Sequence, residues 1–529
     1  MSKSAGSYFS CSARVPAPHV YVARRPTRLA YQASTTGSAP AITTQDVAST
    51  YTATAAAPTT SAAPASAASS SSNSAACPFL QTLKSPPAIE LPWTVRLAAL
   101  LNPEEYQQQV LQHGEMVLAP GMFGNQRQLL VGNGDHAKTV LAGRGDAGLT
   151  VSNNSVNLKI TAIFGEHALV MIRDAARHKY LRTLITSAYT PEAIASLIPR
   201  MEAVVAKYLR SWAAAEGGRV MAYEELKLFT FEFIVAVVLG RDYDDAQVAH
   251  MMRLYQALVS GIMGWPYLEL PFTPYGRAMA ARRQLAGMFQ EVVDEARGKL
   301  QKGEALGGVV GSLVSAQDEE GNRLTDAEIT DNLLLVLLAG FDTSSTTLTA
   351  VLANLQQHPK ALKKLRQEQD AVLAKHGTGL SAAALRDMPY AEAVIRETLR
   401  LSNVVSSLAV EAAQDLQLGE WAVPAGTAMA IPFIQLAKND PRWLNDEPEA
   451  FRPERMLTPE GLKPGWLMPF GHAPRYCVGA TLALSEMKTF LALLLRGYDF
   501  ACDADTTWAP GALGKVPRNG LPMQISRKV

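Results

Sequence analysis

The chain has 529 residues, of which 48% are hydrophobic and 18% are charged, as in a globular protein with a large core. Its 49 basic and 48 acidic side chains leave a formal charge of +1, so no broad positive field favours nucleic acid as a partner. The four cysteines are scattered without a CxxC pair, which argues against a disulfide scaffold or a structural zinc site.

The first 76 residues differ in composition from the rest of the chain. They are rich in Ser, Ala and Thr and contain four arginines but a single acidic residue, Asp46. This pattern predicts a disordered transit peptide over residues 1–76, a linker over 77–90 and one domain over 91–529. An arginine-rich, acid-poor leader favours the plastid, with the mitochondrion as the alternative. A plain flexible tail is the other interpretation.

From Leu91 onward the pattern predicts a mainly helical domain. GEMVLAP and RQLLVGN predict a β-hairpin around the GMFGNQ turn. Apolar residues at helical spacing predict helices over residues 193–212, 225–239 and 279–300. No apolar run reaches the roughly 20 residues of a membrane-spanning helix, so we expect no transmembrane anchor.

A long central helix is predicted from Thr325 to the His358-Pro359 step. Thr325 and Glu328 form a capping-box pattern at its start. Residues 333–339 are apolar on every face, which predicts burial all round. The helix then becomes polar over residues 340–347, where Ser and Thr hydroxyls compete for backbone hydrogen bonds, so we expect it to be opened or distorted there. The alternative is that these hydroxyls bond back to the helix harmlessly.

Three further motifs lie downstream. Glu397 and Arg400 are three residues apart and can pair on one helix face. Arg455 follows two proline-constrained steps, and Cys477 lies in the loop FGHAPRYCVG. Without the other motifs, the Glu397–Arg400 pair would be interpreted as an ordinary ion pair on a solvated helix face. The order ExxR, PER and Cys loop is far more specific.

This order resembles the cytochrome P-450 family of haem-thiolate monooxygenases, and the resemblance covers the chain from about Leu91 to Val529. It rests on four motifs: AGFDTS at 339–344, ETLR at 397–400, FRPER at 451–455 and FGHAPRYCVG at 470–479. The resemblance implies a mainly α fold, a helical prism with small β-sheets. It also implies a haem b cofactor with Cys477 as the iron ligand and a structural triad of Glu397, Arg400 and Arg455.

The resemblance assigns the other site residues as well. Positions that match the family's cofactor contacts are His178, Arg182, Ala339, Gly340, Phe470, Arg475 and Gly479. His178, Arg182 and Arg475 match groups that bind the haem propionates. Asp342 and Thr343 match an acid–alcohol pair that delivers protons to dioxygen. A thiolate ligand donates electrons strongly to haem iron and favours cleavage of the O–O bond.

Three positions depart from the family pattern. Ala473 replaces the usual second glycine of the Cys loop, so a changed loop geometry is expected. Val410 and Glu411 lie where a propionate-binding arginine is usual, which weakens the expected haem anchoring there. Lys438 replaces a frequent histidine, and no role follows from the sequence.

The expected substrates are dioxygen and a lipophilic small molecule. LPFTPYGRAMAAR and GEHALVMIRDAARHKYLRTL resemble branches that act on sterols, retinoids and other isoprenoids, which favours an isoprenoid or carotenoid-derived substrate. The apolar loop from Trp265 suits either peripheral membrane contact and substrate entry or packing on its own domain. We expect a monomer that takes electrons from a separate donor, since the leader and one haem domain account for the 529 residues. In a plastid that donor would be a ferredoxin.

Two other classes of protein stay open at this point. One is a haem-thiolate isomerase or dehydratase that rearranges lipid hydroperoxides without external electrons. The other is a non-enzymatic haem protein that senses a ligand. Asp342 and Thr343 argue against the first, because an isomerase has no need of a proton relay to dioxygen.

Overall fold

The described part of the chain belongs to one compact unit, which spans Ser74–Val529. The computed structural model describes residues 82–92, 94–95, 102–121, 127–143, 149–150, 161–262, 266–463, 465–503, 506–511 and 514–528. The predicted leader over 1–76 lies outside these residues. The described part of the predicted linker is bonded to the domain, because the Lys84 N–H donates to the Glu420 carbonyl at 2.9 Å and Ala88 forms a β-bridge with Leu118.

Helices dominate the fold, as the apolar spacing predicts. Those with both ends described are α1 Pro103–Leu111, α2 Gly134–Ala142, α3 Ala175–Thr186, α4 Pro191–Ala214, α5 Ala222–Leu239, α6 Asp245–Ser260, α7 Pro274–Gln301, α8 Gly308–Ser315, α9 Asp326–Gln357, α10 Pro359–His376, α11 Ala382–Arg386, α12 Pro389–Leu401, α13 Phe433–Lys438, α14 Pro459–Leu462 and α15 Ala480–Gly497. The three helices predicted from apolar spacing lie within α4, α5 and α7 and are confirmed.

The strands are short and form small sheets. They are β1 Met116–Pro120, β2 Arg127–Val131, β3 Leu149–Thr150, β4 Arg219–Met221, β5 Leu408–Ala412, β6 Leu416–Leu418, β7 Trp421–Val423, β8 Ala428–Ile431, β9 Tyr498–Cys502, β10 Trp508–Pro510, β11 Lys515–Pro517 and β12 Pro522–Arg527. β1 and β2 pair antiparallel, so the predicted hairpin is confirmed. They belong to a five-stranded sheet of order β1-β2-β8-β5-β3. The predicted fold class, mainly α with small sheets, is confirmed.

The central helix α9 begins with the predicted capping box. The Glu328 N–H donates to the Thr325 hydroxyl at 3.3 Å, and the Thr325 N–H donates to the Glu328 carboxylate at 2.9 Å. Together the two bonds satisfy two backbone donors that a helix start leaves free. Among the described residues α9 is also the one helix long and apolar enough to suit a membrane span, yet 67% of that window is buried in the core.

The expected opening of α9 at residues 340–347 is wrong, because the helix runs unbroken from Asp326 to Gln357. Two of its threonine hydroxyls donate to carbonyls one turn back. Thr343 Oγ1 donates to Ala339 O at 2.6 Å, and Thr347 Oγ1 donates to Thr343 O at 2.8 Å. These bonds satisfy the hydroxyls without displacing the backbone ladder.

Lys438 gains a structural role that the sequence did not reveal. Its ammonium group on α13 pairs with Glu104 of α1 at 3.2 Å and with Glu449 at 3.3 Å. Lys515 of β11 also reaches Glu104, at 2.7 Å. Burial raises the pKa of Glu104, but the two lysines outweigh it and hold that pKa below its ordinary value. Lys438 therefore ties α1 to α13.

Candidate active site

The Cys loop connects the region after α14 to the start of α15. Within residues 470–479, all of them described, only Gly471 has a positive φ, 76°, which suits a glycine. The Cys477 N–H donates to the Phe470 carbonyl at 2.9 Å and closes the loop. Ala473 precedes a cis peptide bond to Pro474 and does not need left-handed backbone. An alanine in place of the usual glycine is therefore compatible with this loop.

Cys477 is surrounded by protein atoms and yet has an accessible side chain, as expected of a residue that lines a recess. Burial raises the pKa of its thiol. The N–H groups of Gly479 and Ala480, at the start of α15, and the guanidinium of Arg182 act in the opposite direction. A Cβ built on Gly479 would stand 4.0 Å from the Cys477 sulfur, so a side chain there would lie beside the thiol.

A group of basic side chains lies near Cys477. His178 and Arg182 share one face of α3, and Arg475 comes from the Cys loop. Arg475 donates to the Ile172 carbonyl at 2.7 Å, but neither it nor Arg182 has a carboxylate ion-pair partner among the described residues. Burial lowers the pKa of both arginines, and Arg182 lowers that of Arg475 further. Such mutual repulsion without a counter-charge suits an anionic ligand.

His178 is buried within the same group. Its pKa is lowered to about 4, first by burial and then by Arg475 and Arg182. The imidazole is therefore neutral near pH 7 and would serve a ligand as a hydrogen-bond donor instead of as a charge.

One face of α9 is open in the middle of the core. Ala339 is exposed although Leu337 and Leu338 are buried, and Thr343 lies one turn further along the same face. Gly340 points elsewhere, because a Cβ built on it would lie 2.7 Å from Ile234 Cδ1 of α5. The small size of Gly340 is therefore explained by the close approach of α5, whereas Ala339 supplies the open surface.

Asp342 and Thr343 are adjacent in sequence but have different partners. Thr343 is bonded to its own helix, and Asp342 accepts a hydrogen bond from the Tyr255 hydroxyl of α6. Burial raises the pKa of Asp342, while that bond and the ammonium group of Lys227 act against it. Among the described contacts, none joins Asp342 to Thr343.

The predicted triad is assembled in the core. Arg400 donates to both carboxylate oxygens of Glu397, at 2.8 and 2.9 Å, and both side chains are fully buried. The Arg455 Nε lies 3.5 Å from the same carboxylate. Arg400 also donates to the carbonyls of Pro448 and Ala450, at 2.6 and 3.1 Å. The triad therefore connects α12 to the segment that precedes the Cys loop.

The strand expected to lack a propionate-binding arginine does lack one. β5 has the sequence LAVEA, and Val410 is buried in a core cluster with the strands beside it. The positive charge of the site therefore comes from α3 and the Cys loop.

Phe470 lies at the start of the Cys loop, and the centroid of its ring is 6.3 Å from the centroid of the Tyr476 ring.

Sequence reasoning missed two polar contacts of the site. One is the Tyr255–Asp342 hydrogen bond. The other joins α9 to α15, where the Ser344 hydroxyl donates to the Glu486 carboxyl at 2.7 Å. Burial raises the pKa of Glu486 to about 8, with Ser344 acting against it. The helical spacing of these four residues indicates only that they face the core, and it does not indicate which residues they contact.

These features are compatible with a haem-thiolate site. A cysteine beside a helix start would suit the sulfur ligand of haem, a basic group without a counter-anion would suit its propionates, and the open face of a buried helix would leave room for oxygen. A family model described as Cytochrome P450 matches residues 104–516. The chain belongs to the cytochrome P450 family. It is a monooxygenase, an oxidoreductase, with a cysteine-ligated haem.

Curated relatives agree with this assignment, and a solved structure shares the fold. Abscisic acid 8'-hydroxylase 2 of Arabidopsis thaliana is 29% identical over 352 residues, which are 66% of this chain and 71% of the relative. Abscisic acid 8'-hydroxylase 1 of the same plant is 30% identical over 353 residues, 66% of this chain and 72% of the relative. A retinoic acid-bound cyanobacterial cytochrome P450, CYP120A1, matches in fold with a TM-score of 0.70 and 24% identity, over 84% of this chain and all of that one.

Proposed function

We propose that Cys477 ligates the haem and that the enzyme inserts one oxygen atom from dioxygen into a lipophilic isoprenoid or carotenoid-derived molecule. The observation that carries the ligand assignment is the accessible thiol of Cys477 at the start of α15, beside Arg182 and Arg475, two arginines without ion-pair partners among the described residues. The substrate class is supported by relatives named as hydroxylases of abscisic acid, which is an isoprenoid-derived compound.

Residues of the chain would bind the haem, leave space above it and deliver protons. The haem, when bound, supplies the redox chemistry of dioxygen. Arg182 and Arg475 would neutralise its two carboxylates, and neutral His178 would donate a hydrogen bond to one of them. Ala339 leaves space on the open face of α9. Asp342 and Thr343 would pass protons towards the reacting oxygen, a role that suits a half-buried carboxyl next in sequence to a hydroxyl.

We further propose that the electrons come from a separate protein, a ferredoxin if the enzyme works in a plastid. The arginine-rich, acid-poor composition of residues 1–76 supports a plastid address. The apolar loop before α7 is proposed to contact a membrane surface, where a lipophilic substrate would enter. Leu268, Leu270 and Phe272 support this, because they are large apolar side chains that are 56%, 41% and 75% exposed.

Turnover with isotopically labelled dioxygen tests the reaction. The haem-loaded enzyme is mixed with a ferredoxin, its reductase and a panel of isoprenoid acids and alcohols, and each product is analysed by mass spectrometry. We expect one labelled oxygen atom per product and a strict requirement for the reductant. Conversion of lipid hydroperoxides without any reductant, and no labelled product from the panel, would instead establish the isomerase class.

A further inference from the structure

Asp342 lies at the meeting point of α5, α6 and α9. From α6, the Tyr255 hydroxyl donates to its carboxylate. From α5, the ammonium group of Lys227 lies close enough to favour the ionised carboxylate. The pKa of Tyr223, also on α5, is raised by burial and then by the charge of Asp342, while Thr346 of α9 acts against this rise. Among the described residues, these are the titratable groups whose charge or hydrogen bond acts on Asp342 or responds to it.

Tyr255 is held in one orientation by its surroundings. It is 3% exposed, and its ring meets those of Phe231 and Phe341 edge to face, at centroid distances of 5.7 and 4.9 Å. The hydroxyl therefore has little freedom to leave Asp342. Its own pKa is raised by burial, by the charge of Asp342 and by their hydrogen bond, so it stays a donor at neutral pH.

The α5 side of this cluster reaches the surface. The side chain of Lys227 is 27% exposed and lies 3.9 Å from the 64% exposed carboxylate of Glu224. The same ammonium group stands 5.1 Å from the centre of the half-buried Tyr223 ring. Lys227 and Tyr223, one turn apart on α5, therefore both neighbour Asp342 electrostatically, and Lys227 is in part exposed to solvent.

We propose that protons enter the site along this face, from Lys227 past Tyr223 to Asp342, and that Tyr255 is a positioning residue for Asp342. This rests on the proposed function of Asp342 and Thr343 as a proton relay. Asp342 takes a proton from the α5 side as a carboxylate, gives it up towards Thr343 and returns to the carboxylate. Tyr255 donates a stronger hydrogen bond to the ionised form than to the protonated one, so it fixes the side chain between deliveries and favours release of the proton.

The chain provides a matched control. The phenol hydroxyl of Tyr208 on α4 also donates a hydrogen bond to a carboxylate on α5, that of Glu232, at a distance of 2.8 Å. Tyr208→Phe removes the same kind of bond without touching the Asp342 cluster. Tyr255→Phe should therefore differ from Tyr208→Phe in every property that depends on Asp342.

The first experiment follows the protonated carboxyl band of Asp342 by infrared spectroscopy in the haem-loaded protein as the pH is raised, with Asp342→Asn assigning the band. We expect Tyr255→Phe to bind this proton roughly ten-fold more tightly, because a donor to the charged form is lost. Tyr208→Phe should match the wild type. A Tyr255→Phe titration that also matches the wild type would overturn the positioning role, even if no substrate is ever found.

The second experiment measures product formed per electron consumed, in light and heavy water. Tyr255→Phe and Tyr223→Phe should each lose coupling and show a larger solvent isotope effect, with Tyr208→Phe unchanged. Unchanged coupling in Tyr223→Phe would overturn entry along α5. If no variant and no wild type turns over any substrate, the proposed function fails and the infrared titration decides the positioning role by itself.

Discussion

Replacement of Glu397 by alanine should severely destabilise the domain. Glu397 and Arg400 are both fully buried, and the carboxylate accepts two N–H bonds from Arg400 as well as the backbone N–H of Arg452 at 2.9 Å. The variant would leave the Arg400 guanidinium charged in the core without its anion. Removal of one partner of such a pair costs about 3 to 5 kcal/mol of unfolding free energy.

A surface pair supplies the contrast. Glu295 pairs with Lys299 one turn away at 2.7 Å, and both side chains are almost half exposed. Glu295→Ala should cost less than about 1 kcal/mol. The assay is urea unfolding of each variant at pH 7, together with haem bound per chain. If Glu397→Ala were no more destabilised than Glu295→Ala, the triad would not support this core.

Four further outcomes are expected. Thr343→Ala should keep its haem content and substrate affinity but divert electrons to peroxide, since a positioned proton-transfer group typically contributes 10²- to 10⁴-fold to its step; unchanged product per electron would make Thr343 a plain helix residue. Because burial raises the pKa of Glu486 from 4.5 to about 8, the folded protein binds this proton more tightly than the unfolded chain, and stability is lost as the pH rises from about 4.5 to about 8. Glu486→Gln should flatten that fall in urea titrations, and an unaltered slope would contradict the assignment. Phe272→Ser should weaken sedimentation with lipid vesicles if the exposed loop meets a membrane, whereas equal binding would remove this role. N-terminal sequencing of protein from the organelle should find a start between about residues 60 and 90, and a chain that still began at Met1 would refute the targeting peptide.

Local patterns in the sequence predicted local structure well. The Thr325–Glu328 capping box and the Glu397–Arg400 pair depend on residues three apart on one helix, so their spacing is enough to place them. The β1–β2 hairpin likewise depends on one short turn. These features form wherever the chain becomes helical or extended.

Contacts between distant segments could not be predicted in this way. Tyr255 and Asp342 are 87 residues apart, and Ser344 and Glu486 are 142 apart. Nothing in the residues around Tyr255 distinguishes it from a core tyrosine until α6 lies against α9. The expected opening of α9 failed for a related reason, because Ser and Thr side chains can satisfy themselves within a helix as readily as they can disrupt it.

The carbon monoxide spectrum of the reduced protein tests the central claim, that Cys477 is the thiolate ligand of a haem. We predict the red-shifted Soret band of thiolate ligation in the wild type and in Cys502→Ser, which changes the other described cysteine, buried at the end of β9. Cys477→Ser should lose that band. A wild-type spectrum of the histidine-ligated type, or a red-shifted band that survived in Cys477→Ser, would contradict the account.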